Sequence, residues 1–382
     1  MNIGIYISPS HAVPPDEKNI LAPWMIVKQL TDGLTLRGHT VHIFCAQGSK
    51  TDGKEHSFGI EPTVRRKQRM TRAAYEQYVR LKEHMLFEHM IQTVHEKHID
   101  LVHIHQPIES LSNDLIACGT SVPFVYTFHD PITSDRWEAL ELIQSRTRSY
   151  FVSVSDAQRR NVPFPFAGGT VYHGITLTDG MFEETVSEFG KFLYAGRIIP
   201  KKGAIDAITA VKRIHGTLMI VGQVYRHKPE LALYFDEIIQ PAIDNTHIFL
   251  EGVVKPDHMI GHYQTAKALL FPVKWEEPFG LVMVESMACG TPVIAYNRGS
   301  VPEIVKDGVT GFIIDPDDEP RPGKGTWIVK KQGIDGLVEA MARIGEIDRR
   351  ACRKHVEEHF TIEHMITGYE MLYRKIIEEQ LI

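Results

Sequence analysis

Cysteine is scarce in these 382 residues, and its four copies, Cys45, Cys118, Cys289 and Cys352, are far apart with no CxxC pair. That spacing excludes a zinc knuckle and argues against a disulfide framework. No apolar run reaches the 18 or so residues that a membrane-spanning helix requires, and the opening MNIGIYISPS has neither a basic stretch nor a small-residue cleavage site, so the expectation is a cytoplasmic protein. An excess of positive charge is missing too. Lys and Arg total 42 against 48 Asp and Glu, a formal charge of -6, which speaks against broad sheathing of nucleic acid or anionic lipid. Any anion site must therefore be local. What is present, 43% hydrophobic and 24% charged residues, is the balance of a globular chain. At about 100–200 residues per domain the length favours two domains.

Apolar runs and helical rhythms alternate along the chain. The strand candidate Asn2 to Ser8 precedes an apolar-periodic segment, Trp24 to Leu36, and a second strand, Thr40 to Cys45. A long charged helix follows from about Arg72 to Lys97. Strands at Asp100 to His105, Phe124 to Phe128 and Phe151 to Val154 come next, with a short helix near Leu111. From Gly174 to Lys191 branched residues give way to Thr, Asp, Gly and Glu, which suits a segment between domains. A second series then begins, with strand candidates Phe192 to Ala195, Thr217 to Val221, Ile248 to Leu250, Ala268 to Phe271, Pro292 to Tyr296 and Phe312 to Ile314. From about Ile334 to the end the chain reads as helical and long enough to fold back on the first domain. Such alternation predicts parallel sheets covered on both faces, with ligands at the carboxyl ends of the strands.

Two segments carry chemistry. In Trp275-Glu276-Glu277-Pro278-Phe279-Gly280-Leu281, followed by Val282 to Cys289 and Gly290-Thr291-Pro292, a short helix is predicted from Leu281 to Cys289, closed by Gly290 and Pro292. Gly280 permits a tight entry turn, and the free amides of the first helical turn make an anion site. Pro278 separates Glu277 from the helix that carries Glu285, so both carboxylates can serve one pocket, the first near a sugar and the second near a ribose, each able to accept two hydroxyl hydrogen bonds. The bland alternative is a glutamate that merely complements the helix dipole. The second segment, Gly196-Arg197-Ile198-Ile199-Pro200-Lys201-Lys202-Gly203, joins a strand to a helix. Arg197 offers a planar fork for phosphate oxygens and Lys202 a point charge, although two solvated loop cations would look alike in an octapeptide.

On these residues the chain resembles the retaining nucleotide-sugar glycosyltransferases of family 4, also described as group 1. Five matches run in order through the second half: Gly196 to Gly203; Leu218-Met219-Ile220-Val221-Gly222; Leu250-Glu251-Gly252-Val253; the Glu277 to Glu285 segment with Pro278-Phe279-Gly280; and Gly299-Ser300-Val301-Pro302-Glu303 with Gly308-Val309-Thr310-Gly311-Phe312. The resemblance implies an α/β protein of the GT-B architecture, two Rossmann-like domains with parallel sheets facing a central cleft. It implies an acceptor-binding domain over residues 1–175, a nucleotide-sugar domain over 176–360 and a helix over 361–382 crossing back. Arg197 and Lys202 would bind the donor diphosphate, Glu277 the donor sugar and Glu285 the ribose. Gly196, Gly222, Phe279, Gly280 and Leu281 would line the donor site, and Val253 would lie by the base. Tyr126-Thr127-Phe128-His129-Asp130 matches a strand-end histidine motif that puts His129 beside the transferred sugar.

The implied reaction takes a sugar from a nucleotide diphosphate, UDP first with glucose or N-acetylglucosamine, to a hydroxyl acceptor, with no metal and no cofactor beyond the sugar nucleotide. A sugar-nucleotide epimerase of the same fold, a phosphorylase and a non-catalytic sugar-nucleotide-binding subunit are the alternatives. One departure is plain: the loop from His11 to Trp24 has no glycine, and Leu21 and Ala22 stand where paired glycines are expected, so no site residue is placed there. The run Arg65-Arg66-Lys67-Gln68-Arg69-Met70-Thr71-Arg72 is either a solvated basic loop or a contact for an anionic acceptor or for the inner membrane face. His103-Ile104-His105 puts two imidazoles on one strand face. His355-Val356-Glu357-Glu358-His359 matches a zinc-peptidase pattern in a charged helix and is read as a solvated face.

Overall fold

A computed structural model describes residues 1–16, 21–106, 111–160, 162–187, 190–317 and 326–379. The chain forms two compact units, one from Met1–Gly174 together with the last helix, the other from Ile175–Thr361.

The first unit holds β1 (Asn2–Tyr6), α1 (Ala22–Leu36), β2 (Thr40–Phe44), β3 (Lys54–His56), α2 (Arg72–Lys97), β4 (Leu101–Ile104), α3 (Ser112–Ala117), β5 (Phe124–Thr127), α4 (Trp137–Arg146), β6 (Ser149–Val152) and α5 (Asp156–Arg159). Its six strands are parallel in the order β3-β2-β1-β4-β5-β6. Side chains of β1 alternate between two cores. Ile3 and Ile5 pack with Val27, Leu30 and Leu34 of α1, whereas Tyr6 packs with Leu86, Phe87 and Met90 of α2. This is why parallel strands read as apolar throughout: both faces are covered. The final helix, Ile362–Glu378, joins the α1 side through Met365, Ile366, Tyr369 and Tyr373. Gly33 makes room for it, since a Cβ there would meet the Ile366 side chain.

The second unit holds β7 (Lys191–Ala195), α6 (Ala204–Arg213), β8 (Leu218–Val221), α7 (Pro229–Tyr234), β9 (Ile248–Gly252), α8 (Pro256–Thr265), β10 (Ala266–Phe271), α9 (Leu281–Ala288), β11 (Val293–Tyr296), α10 (Val301–Ile304), β12 (Gly311–Ile314), α11 (Gly333–Arg343) and α12 (Arg349–His359); the helix Ile362–Glu378 is thus α13. Its order is β12-β11-β10-β7-β8-β9, again all parallel. In each unit the strand order reverses beside the first strand, between β1 and β4 and between β7 and β10. In open sheets of this kind, ligands bind at the carboxyl ends of the strands beside such a reversal.

The carboxyl-terminal stretch is three helices rather than one. A 3-10 turn at Ile344–Glu346 ends the first, and a break at Phe360, with φ -131° and ψ 28°, ends the second. β3, α4 and α5 lie outside the sequence expectations. The Lys-Glu-His of β3 is an edge strand without a single aliphatic side chain, so no hydrophobic signal marks it.

Candidate functional site

The loops after β7 and β10 flank the reversal point of the second sheet, and they are locked together. Gly203 takes φ +73°, and a Cβ there would sit 1.9 Å from the Pro272 carbonyl oxygen, so the loops touch backbone to backbone. The Lys274 amide donates to the Lys201 carbonyl at 2.8 Å. Below them the hydroxyl of buried Tyr194 donates to the Arg197 carbonyl at 3.1 Å and lies 3.3 Å from that of Lys202. Gly222 closes the far side, because a Cβ on it would lie 1.7 Å from the Gly196 carbonyl oxygen.

This frame brings Arg197, Lys202 and Glu277 together around one residue that the sequence reading left without a role, Trp275. The Lys202 ammonium lies 4.8 Å from the indole centroid and the exposed Arg197 guanidinium 5.7 Å from it, both within cation–π range. Lys202 Nζ donates to Glu277 Oε2 at 2.5 Å, and Trp275 Nε1 donates to the same oxygen at 2.7 Å. The two charges are largely sheltered, with side-chain exposures of 13% and 10%. A sheltered ion pair of this kind is oriented before any ligand arrives.

The Glu277 loop is clamped from β11. Gly299, at φ +57°, approaches so closely that a Cβ would fall 2.2 Å from the Glu277 carbonyl oxygen. Its amide donates to Glu276 Oε2 at 2.6 Å, the Ser300 amide to the Glu277 carbonyl at 2.9 Å, and Ser300 Oγ to the Phe279 carbonyl at 2.7 Å. Gly280 then turns into α9 with φ +82°. No side chain caps α9 and no acidic residue stands in its first turn, so its leading amides keep their positive end for a ligand.

Glu285 is placed apart from the Lys202 and Glu277 pair. Its Oε2 accepts from the Tyr263 hydroxyl at 2.8 Å, and burial raises its carboxyl above the ordinary range while that hydrogen bond opposes the rise. Hydrogen bonds therefore do not join the two glutamates into one set. Val253 follows β9 and is 43% exposed, whereas Phe279 is buried at the entry to α9 and Leu281 is its first residue.

In the first unit, adjacent strand ends and a later loop assemble four histidines. His103 Nε2 meets Thr127 Oγ1 at 2.7 Å, His105 Nε2 meets His103 Nδ1 at 3.1 Å, His105 Nδ1 meets His129 Nε2 at 3.1 Å, and His129 Nδ1 meets His173 Nε2 at 3.3 Å. Tyr373 of α13 closes the row on His103 Nδ1 at 2.5 Å. His105 and His129 also line a cavity of about 220 Å³ with Trp24. The His-x-His spacing foretold the shared face of His103 and His105; the link to His129 and His173 had no local signal.

Burial drives the ring pKa values down, that of His129 to about 4 and those of His103, His105 and His173 well below the usual 6.5. The unfolded chain consequently binds more protons than the native one between about pH 6.5 and pH 4, and stability must fall as pH falls through that window. Urea midpoints measured across it should decline, and His129→Gln, with one fewer group to protonate, should decline less steeply. Equal slopes would rule out the coupling.

Other singled-out segments fall elsewhere. Of the His11 to Trp24 loop, residues 17–20 lie outside the described residues, and Ala22 is the first residue of α1. Arg65 to Arg72 forms an exposed 3-10 turn and the start of α2, with Arg65 paired to Glu61 and Arg72 to Glu76. His355 is buried rather than on a solvated face, its Nε2 spent on the Ile304 carbonyl at 3.0 Å, and among the described residues no group of three His, Cys, Asp or Glu could hold a metal. No helix of the described residues is long and apolar enough to cross a membrane.

Comparison with known proteins places these two units. A family model described as glycosyl transferases group 1 matches residues 182–321, and one described as glycosyltransferase family 4 matches residues 25–163. The chain is a GT-B fold protein related to both families. Over 127 residues, 31% of this chain and 33% of the relative, it is 36% identical to the lipopolysaccharide 1,2-N-acetylglucosaminetransferase of Salmonella typhimurium. Spore coat protein SA of Bacillus subtilis is 24% identical over 369 residues, 88% of this chain and 96% of that one. Among solved structures, sucrose-phosphate synthase from Thermosynechococcus elongatus superposes with a TM-score of 0.73 over 99% of each chain at 19% identity, a likeness of fold. The match to the Salmonella enzyme thus spans only a third of that relative's length.

Proposed function

We propose that this GT-B chain is a retaining glycosyltransferase. It would move a sugar from a nucleotide diphosphate, UDP first, to a hydroxyl acceptor in the synthesis of a glycan, glycolipid or small-molecule glycoside. The observation that carries the reading is the preoriented cluster of Arg197, Lys202, Trp275 and Glu277 at the carboxyl ends of β7 and β10, next to the uncapped start of α9. Two cations and a helix amino end suit a diphosphate. The name of the Salmonella relative supports an N-acetylglucosamine-type donor.

In this reading the bond between the anomeric carbon and the diphosphate oxygen breaks as a new bond to the acceptor oxygen forms on the same face. The acceptor proton passes to the departing phosphate. Arg197, Lys202 and the α9 amides stabilise the negative charge that gathers on the diphosphate. Glu277 orients Lys202 and accepts from the donor sugar, Glu285 takes the ribose hydroxyls, and His129 is assigned to the transferred sugar.

A thermal-shift screen of UDP, GDP and ADP and their sugars tests the donor half. A nucleotide at a hundred times its dissociation constant adds about 2.7 kcal/mol to stability, a shift of several degrees. Stabilisation by UDP above the others is expected; no shift with any of them would sink the proposal.

A further inference from the structure

The Tyr263 hydroxyl is the sole side-chain partner of Glu285 among the described residues. Tyr263 ends well inside the unit, 2% exposed, on α8, and its own carbonyl is held by Thr291 Oγ1, just beyond α9. Its position is therefore fixed from both sides. We propose that Tyr263 is a positioning residue for the nucleotide ribose: by donating to Oε2 it holds the Glu285 carboxylate in the orientation and charge state that accept two hydroxyl protons. This rests on the assignment of Glu285 to the ribose.

Each carboxylate oxygen has two acceptor sites, so Tyr263 consumes one of four and leaves enough for a vicinal diol. The hydrogen bond also selects the ionised form. Burial pushes the Glu285 carboxyl up, toward a neutral acid that would donate where it must accept, and the Tyr263 O–H counters that push. The other titratable group facing Glu285 is the Cys289 thiol, raised to about 12 by burial first and the Glu285 charge second, and so neutral throughout the working range. Tyr263 itself is raised well above 10 by burial and stays a donor.

The test is the dissociation constant for UDP, with GDP and ADP in parallel, measured calorimetrically from pH 5 to pH 8. Tyr263→Phe keeps the ring and loses only the hydrogen bond. It should weaken nucleotide binding by about tenfold or more, in line with a hydrogen bond to a charged group, and the loss should set in at a higher pH than in the parent. In a Glu285→Gln background the same change should have no further effect, which a merely structural role for the tyrosine would not predict. Unfolding midpoints alongside confirm that the variants are folded. If Glu285→Gln binds nucleotide like the parent, or the parent binds none of the three, the ribose assignment fails. If Glu285→Gln is weakened but Tyr263→Phe matches the parent in affinity and pH profile, the ribose assignment stands and the role given to Tyr263 is wrong.

Discussion

Lys202→Ala should lower turnover at saturating donor by about 10²–10³, the usual cost of removing one preorganised group from a site of developing charge. The expectation follows from where the ammonium stands. It is held 2.5 Å from Glu277 and over the face of Trp275, so it need not be recruited when the diphosphate departs. Its loss also leaves Glu277, 10% exposed, with the indole N–H alone, and orphaning one partner of a sheltered pair costs about 3–5 kcal/mol of stability. The two effects separate experimentally. Lys202→Met keeps the stem that packs on Trp275, and Lys202→Ala with Glu277→Gln removes the orphaned charge. The double variant should regain most of the lost stability and Lys202→Met only the part due to packing on Trp275, while turnover stays low in both. Near-parent turnover in Lys202→Ala would remove the lysine from the proposed mechanism and, with it, the proposed stabilisation of the leaving group.

Much of this arrangement is legible in the sequence, and what is not has a physical reason. Strands such as Lys191–Ala195 and Gly311–Ile314 agree with the expected runs to within a residue, because a parallel strand buried on both faces has to be apolar along its length. The loops that hold Lys202 and Glu277 are legible as well, since Gly203 and Gly299 stand where a Cβ would strike backbone and Gly280 turns into α9 with φ +82°. Trp275 could have been found two residues before Glu277, but nothing in one dimension tells an indole that shields two cations from one that fills a core. Tyr263 and Glu285 are 22 positions apart on two helices, and the histidines pair across 24 and 44 positions. Such contacts depend on which strands become neighbours, and that information is set by the whole sheet rather than by any local spacing.

Arg349→Leu should destabilise the second unit by about 3–5 kcal/mol, read as a drop in the urea midpoint, although Arg349 is distant in sequence from every expected site residue. Arg349 opens α12 and is only 7% exposed. Its guanidinium donates to the carbonyls of Glu183 at 2.8 Å, Ala266 at 3.0 Å and Gln264 at 3.0 Å, to Thr291 Oγ1 at 2.8 Å, and more distantly to the Cys289 carbonyl at 3.4 Å. These acceptors come from the start of β10, the ends of α8 and α9, and the segment before β7. A leucine would leave several of them buried without a donor, each a loss of about 1–3 kcal/mol before relaxation. These hydrogen-bond acceptors are carbonyls and a hydroxyl rather than carboxylates; burial lowers the Arg349 pKa, and the Glu183 charge is among the groups that oppose the shift. Arg349→Lys keeps the charge but not the planar fork, and it should recover less than half of the lost stability. Because Thr291 also binds the Tyr263 carbonyl, the loosened end of α9 should carry Glu285 with it. Nucleotide affinity in Arg349→Lys should then fall even where the protein remains folded. A leucine variant within 1 kcal/mol of the parent would show that water or a shifted α12 satisfies those carbonyls instead, and would cut the link from α12 to Glu285.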